Sequence, residues 1–320
     1  MREELIKSKF IDNEETIREI IPTDRILIDE PMAKHTSFKI GGKADAFIVV
    51  NTVDELSNLL KVLIEKNAEY LLVGNGSDLL VSDSGYPGIV IKLAGQFETI
   101  SFEDAKDGKE FSRVKAGAAI SLARLSNYLM ERGLSGFEFA SGIPGTLGGA
   151  VYMNAGAYGG EMKDVVRKVS LISPDGKNIV DRSCEDMNFQ YRNSSIQADN
   201  YIVLSVELEL SNGEKSKIAD RINELRDKRN SKQPVNFPSA GSTFKRPKDG
   251  FAAALIDEAG LRGFRVGDAQ VSEKHTGFVV NVGTASAEDV LNVMRHVQKT
   301  VYEKNGIMLE PEVKLINCKL

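Results

Sequence analysis

The sequence is poor in the residues that build covalent or metal-stapled folds. It holds 2 cysteines, 3 histidines and no tryptophan in 320 residues. Cys184 and Cys318 stand too far apart for a disulfide framework or a cysteine-type zinc site. His35, His275 and His296 have no metal-ligand spacing, so no metal is expected. No apolar run approaches the ~18 residues that a membrane helix requires. The opening Met1-Arg2-Glu3-Glu4-Leu5-Ile6-Lys7 lacks the apolar centre of a signal peptide. Basic residues do not predominate, with 41 Lys+Arg against 46 Asp+Glu for a formal net charge of −5. No basic stripe interleaved with aromatics appears, so nucleic acid and membranes are not expected partners. A cytoplasmic protein is expected, as a monomer or weak oligomer. Its length and its 42% hydrophobic content suit a globular chain of two domains.

Glycine, by contrast, is concentrated. Between Gly142 and Gly160 there are 7 glycines in 19 residues, against 28 in the whole chain. That is about fourfold enrichment, and a fold uses glycine in bulk where backbone turns with positive φ or approaches something closely. The flanks are apolar and orderly, unlike a Gly/Ser linker. Two readings stand: backbone pressed against a large, flat, phosphate-bearing ligand, or a tight packing crossover between two elements.

A second loop points the same way. Glu69–Val73 reads as a buried strand, and Gly74-Asn75-Gly76-Ser77-Asp78 follows it directly. Successive N–H groups in such a turn form a nest for anions. The third glycine of a dinucleotide fingerprint is missing, because position 79 is Leu79. The run Leu79–Gly85 looks extended and ends in a turn, so the loop is a non-Rossmann nucleotide cradle or a plain hairpin turn.

Elsewhere the patterns predict helices at Asn13–Ile21, Thr52–Asn67, Leu122–Glu131, Lys215–Arg229, Ala252–Ala259 and Ala287–Lys304. Thr52 and Glu55 form a capping box, and Leu56, Leu59, Leu60, Leu63 and Ile64 make a helical stripe. Strands are expected at Tyr70–Val73, Gly88–Leu93, Glu98–Phe102, Ser112–Ala116, Val165–Ile172, Ile202–Leu210 and Gly277–Val282, with a last one after Pro311. The alternation lacks a βαβ rhythm, which favours α+β. Composition shifts at Ser211-Asn212-Gly213-Glu214, and a boundary near residue 211 separates a nucleotide-binding part from a C-terminal part.

Polar residues in turn-like settings mark candidate chemistry. Tyr191-Arg192-Asn193-Ser194 places a cation beside small polar groups. Gly241-Ser242-Thr243-Phe244-Lys245 puts a serine after a glycine. Glu310-Pro311-Glu312-Val313 opens the final strand with two carboxylates, and Pro311 keeps Glu310 extended so that i,i+2 spacing favours one side. Each has a plain alternative: a surface ion pair for Arg192, a turn former in Ser242, a solvated strand start at Glu312.

Seven stretches in order resemble the UDP-N-acetylenolpyruvoylglucosamine reductase family, from about Pro31 to Ile316. They are His35-Thr36-Ser37-Phe38-Lys39-Ile40-Gly41-Gly42, Gly74-Asn75-Gly76-Ser77, Gly142-Ile143-Pro144-Gly145-Thr146-Leu147-Gly148-Gly149-Ala150, Asn154-Ala155-Gly156-Ala157-Tyr158-Gly159, and the three polar motifs above. The resemblance implies an α+β fold: after an N-terminal segment 1–35, an FAD-binding domain of the vanillyl-alcohol-oxidase (PCMH) type over 36–210 with two subdomains split near 100, then an α+β substrate-binding domain over 211–320. It implies FAD bound non-covalently through Gly74, Asn75, Gly76, Ser77 and Asp78, and through Ile143, Pro144, Gly145, Thr146, Gly148, Gly149, Asn154, Ala155, Gly156 and Gly159. It implies NADPH as reductant and a UDP-sugar enolpyruvyl ether as substrate, reduced to a lactyl ether in peptidoglycan precursor synthesis. Arg192 resembles the cation held against the substrate carboxylate, Ser242 the proton donor, and Glu312 the carboxylate that polarises the carboxyl group. Lys228, Arg229, Lys245 and Arg246 are candidate diphosphate contacts. The short stretch from Arg229 to Gly241 matches the family's compact type, and Arg246 stands where the longer type has asparagine.

Two other functions remain open at this level. One is another flavin oxidoreductase on the same FAD domain, for which His35 is the only nearby candidate for covalent attachment. The other is a nucleotide-binding protein without catalysis.

Overall fold

A computed structural model describes residues 14–103 and 111–320. The opening heptapeptide and Asn13, the expected start of the first helix, lie outside the described residues. The chain divides into two compact units, each assembled from three segments. The first takes residues up to Leu27, Ala46–Gly74 and Gly88–Lys228. The second takes Ile28–Asp45, Asn75–Pro87 and Arg229–Leu320.

The first unit is built around the long strand Ile202–Asn212. It pairs antiparallel with Val166–Ile172 on one side and Phe111–Gly117 on the other. Ile179–Ser183 and Ile100–Glu103 extend the two edges. Val206, Leu208 and Leu210 are buried at alternate positions, so one face of the sheet meets the core. The helix Val53–Glu65 forms because its sequence satisfies both ends of the rule that predicts it. The Thr52 hydroxyl accepts from Glu55 N, the Glu55 carboxylate accepts from Thr52 N, and Leu56, Leu59, Leu60 and Leu63 are buried. Leu122–Glu131 starts on a Ser121 cap and is followed by Gly133 at φ +69.

Two expectations in this unit need correction. Tyr70–Val73 is a strand, but only Val73 is buried and Leu72 is 36% exposed. It is the edge of a four-stranded sheet and pairs, in parallel, with Tyr86–Leu93. A continuous apolar run therefore does not by itself mean burial on both faces. The strand expected from Glu98 begins at Ile100. Gly95, at φ +57, starts a 3-10 turn over Gly95–Glu98 first, and Gln96 N donates to Asn51 O at 3.0 Å.

The second unit packs the helix Ala287–Asn305 on a small antiparallel sheet, Arg265–Val266, Ala269–Val271 and Val279–Asn281. Val290, Leu291, Met294 and Val297 of the helix share its core with Val271 and Val279. The first two of these strands are too short for sequence periodicity to reveal. Lys314–Ile316 pairs in parallel with Leu79–Val81, which fixes the chain's last strand against the run that follows the Gly74–Asp78 loop. Among the described residues no helix is long and apolar enough to cross a membrane.

Candidate active site

The two glycine-bearing loops meet at Gly74. A Cβ on Gly74 would lie 2.5 Å from Thr146 Oγ1, so any side chain there would displace the threonine that caps the helix Leu147–Tyr152. Gly76 has φ +59, and its Cβ would lie 2.1 Å from the His35 carbonyl oxygen. Both glycines are required by the protein's own packing. Ligand approach, one of the two readings of such glycines, is not needed to explain these two. The loop nevertheless keeps the features of an anion nest. Gly76 is buried, and the N–H groups of Asn75, Gly76 and Ser77 donate to no protein acceptor among the described residues. Orphan amides of this kind fit a pyrophosphate.

The second segment differs. The Leu147 and Gly148 amides donate to Ile120 O and Ala118 O, at 2.9 and 2.8 Å. Gly149 N reaches Thr146 Oγ1 at 3.4 Å. The start of this helix therefore offers no unspent amide in its first turn, and what it presents is surface. Gly149 is exposed, and a Cβ there would meet only Thr146 Oγ1, at 3.4 Å, among the described residues. Upstream, Ile143 packs on the core, Pro144 is exposed, and Gly145 O accepts from Leu122 N. Downstream, Ala155 is tied to Ala150 O. Gly156–Ala157 and Gly160–Glu161 form a tight hairpin whose turn residues, Tyr158 and Gly159, have φ +54 and +90. Open space faces a Cβ on Gly159, while Gly156 is closed off by Gly160 O at 2.7 Å.

Asn154, expected to touch cofactor, turns inward. It is fully buried, its Nδ2 donates to Glu161 Oε2 and Gln190 O at 2.8 and 3.1 Å, and its Oδ1 accepts from Lys163 N. Gln190 begins the turn that carries Arg192. The Gln190 and Asn193 backbones exchange two hydrogen bonds, at 3.0 and 3.2 Å, and Arg192 sits at the tip with φ +54. Its guanidinium lies over the Tyr191 ring at 5.0 Å.

Arg192 belongs to the first unit, Ser242 and Glu312 to the second. Within the second unit the latter two are neighbours. Phe244 and Pro311 form an antiparallel bridge, and Glu312 N donates to Thr243 O at 2.9 Å. Ser242 is exposed, follows Gly241 at φ +76, and its hydroxyl makes no hydrogen bond among the described residues. The two carboxylates of the Glu310–Glu312 motif have different surroundings. Glu310 is 73% exposed and pairs with Lys245 at 3.2 Å. Glu312 is half-buried, and its charge faces Asp78. Burial pushes the Asp78 carboxyl above the usual carboxylate range; Lys314 opposes this and Glu312 adds to it. No sequence pattern signals that pairing, because 234 residues separate the two carboxylates.

Two of the basic candidates, Lys228 and Arg246, are engaged locally. Lys228 pairs with Glu224 on its own helix, and Arg246 lies 4.2 Å above the exposed Phe251 ring. Arg229 is partly exposed on the same helix as Lys228. His35 Nε2 contacts Glu30 Oε1 at 3.0 Å. Burial raises both thiol pKa values, and Cys184 donates to Lys163 O, so neither cysteine is an activated thiolate. Among the described residues no cluster of three His, Cys, Asp or Glu could hold a metal.

Comparison with known proteins gives this arrangement a lineage. Residues 44–181 match an FAD binding domain, and residues 233–316 match the UDP-N-acetylenolpyruvoylglucosamine reductase C-terminal domain. The chain is 48% identical over 300 residues to the UDP-N-acetylenolpyruvoylglucosamine reductase of Alkaliphilus oremlandii, covering 94% of this chain and 96% of that one. It is 49% identical to the enzyme of the same name from Clostridioides difficile, over 93% and 95% of the two chains. Its fold is similar to the crystal structure of UDP-N-acetylenolpyruvylglucosamine reductase from Thermus caldophilus, with TM-score 0.76, 38% identity, and 91% and 97% of the chains covered. The chain is an α+β oxidoreductase with an FAD-binding domain and belongs to the UDP-N-acetylenolpyruvoylglucosamine reductase family.

Proposed function

We propose that this protein reduces the enolpyruvyl ether of UDP-N-acetylglucosamine to the lactyl ether, UDP-N-acetylmuramate, in the cytoplasm, as a step of peptidoglycan precursor synthesis. Cofactor binding falls mainly to the part before residue 211 and substrate binding to the part after it. Bound FAD, held non-covalently and reduced by NADPH, supplies the hydride that adds to the methylene carbon of the substrate.

The residues of the chain do the rest. The Gly74–Asp78 loop offers its unpaired amides to the pyrophosphate, and Gly149 and Gly159 let flat surface approach the backbone. Negative charge develops on the carbon next to the substrate carboxylate as an enolate. Arg192 stabilises it by holding a fixed positive charge against that carboxylate. Ser242 delivers the proton to the enolate carbon. A serine is a weak acid, so this needs a strongly basic partner and close placement. Glu312 helps to polarise the substrate carboxyl group. Lys228, Arg229, Lys245 and Arg246 supply the cations for the diphosphate.

The observation that carries this reading is the bridge at Phe244 and Pro311, which sets the Ser242 and Glu312 segments side by side in a chain related over 94% of its length to a reductase of this name. The test is a visible spectrum of the purified protein, followed by anaerobic NADPH addition and then the enolpyruvyl sugar nucleotide. A yellow protein that bleaches with NADPH and recovers its colour only with that substrate is expected. Recovery with no such dependence overturns the assignment.

A further inference from the structure

The end of the glycine-rich segment and the turn that carries Arg192 are stitched together by side chains that the proposed chemistry does not use. Arg192 occupies the left-handed region at φ +54, which an L-residue keeps only when its surroundings impose it. Four hydrogen bonds from three side chains impose it. Asn154 Nδ2 donates to Gln190 O, the first residue of the turn. Gln197 Nε2 donates both to Arg192 O, at 3.2 Å, and to Tyr152 O, at 2.9 Å. Ser194 Oγ donates to the same Tyr152 carbonyl at 2.6 Å. Tyr152 ends the helix Leu147–Tyr152, where carbonyls lose their intrahelical partners and must find others. The helix end is thus satisfied by the segment that follows Arg192, and the Arg192 turn by Asn154, two residues past the helix.

We propose that Asn154 and Gln197 are positioning residues for Arg192, tying its turn to the end of the glycine-rich segment so that cofactor surface and guanidinium are held as one piece. The proposal rests on the reading of Arg192 as the partner of the substrate carboxylate. It assigns Asn154 and Gln197 no contact with substrate. Neither side chain is apt for chemistry: Asn154 spends both its N–H donors inside the protein, and Gln197 shares its amide between two carbonyls. Their effect is geometric. An ångström of misplacement at a catalytic group can cost up to ~100-fold in rate.

The test uses Gln197→Ala as the main variant, because Gln197 is half-exposed and its loss leaves no cavity in the core. The holoenzyme of this variant, of Arg192→Ala and of the double variant is reduced with NADPH, then mixed anaerobically with the enolpyruvyl sugar nucleotide while flavin reoxidation is followed. Gln197→Ala should reoxidise on the order of tenfold more slowly, a partial version of the misplacement cost. Its flavin content and its reduction by NADPH should stay within about twofold of wild type, which a merely structural role would not respect. The double variant should be no slower than Arg192→Ala alone, since a residue acting through Arg192 has nothing left to position. Asn154→Asp keeps the Oδ1 acceptor, loses both N–H donors and sets a second carboxylate against Glu161, and should show the same selective slowing. Wild-type reoxidation in Gln197→Ala, or slowing that adds to that of Arg192→Ala, overturns the positioning role. Wild-type reoxidation in Arg192→Ala itself overturns the reading of the arginine, a different failure visible in a different sample.

Discussion

Gly149→Ala separates the two explanations of the glycine-rich segment, because they predict effects of opposite sign. The residue is exposed in the first turn of the helix Leu147–Tyr152, and its new methyl would touch only Thr146 Oγ1, at 3.4 Å, among the described residues. The protein itself therefore accommodates alanine there. Replacing glycine by alanine in a helix should raise the stability of the flavin-free protein by about 0.5–1 kcal/mol. If backbone at this position lies against the cofactor, the same methyl weakens binding. A tenfold loss in affinity corresponds to about 1.4 kcal/mol, which is removed from the cofactor-linked stability at saturating FAD. The apo protein should then be more stable than wild type, and the FAD-saturated protein less stable by roughly 0.4–0.9 kcal/mol, the difference of those two terms. Denaturant unfolding of both forms and a flavin titration by fluorescence quenching measure all the quantities. Wild-type FAD affinity in Gly149→Ala would refute the cradle at this position and leave packing as the reason for its glycine. Gly76 cannot serve the same purpose. Its Cβ would collide with His35 O, and its φ of +59 strains any L-residue, so a substitution there damages the fold before it reports on the cofactor.

Ser242→Ala should leave NADPH reduction of the flavin near wild type and slow the substrate-dependent reoxidation by ~10²–10⁴-fold; stopped-flow absorbance reads both, and unaltered reoxidation would make Ser242 a turn residue. Glu55 accepts a two-point contact from Arg25, at 2.9 and 2.7 Å, which holds its carboxyl below the usual range. Its contribution to stability is whole above the unfolded value of about 4.3 and is lost as pH falls through the lower folded value. Glu55→Gln should cost about 1–3 kcal/mol at neutral pH, and the difference from wild type should shrink on acidification, as followed by urea unfolding. Asp78 has the opposite sign. Its folded form holds the proton more tightly, so the native state loses stability as pH rises from the unfolded value of about 3.9 toward the raised one. Asp78→Asn should therefore be neutral or stabilising for the apo protein at pH 7, and a clear loss of stability in urea unfolding would show that Lys314 outweighs the burial.

What could be read from the chain alone was set by local rules. The Thr52–Glu55 box and the leucine stripe behind it specified a helix because capping and a 3.6-residue period need only neighbours in sequence. The order of the glycine and polar motifs identified the family, since each motif is a short contiguous stretch. Tertiary structure decided the rest. The burial of Tyr70–Val73 depended on its place at a sheet edge, which no period encodes. Gly74 and Gly76 are glycine because Thr146 and His35 come to within van der Waals reach across 72 and 41 residues of chain. Asn154 read as one more polar residue in a cofactor motif, yet its carboxamide is turned inward by partners at Glu161, Lys163 and Gln190. Asp78 and Glu312 acquire their mutual repulsion only because a parallel pairing brings Lys314–Ile316 beside Leu79–Val81. Periodicity and capping act over a few residues, whereas charge pairing, close approach and side-chain orientation act over a few ångströms, and only the folded chain turns one distance into the other.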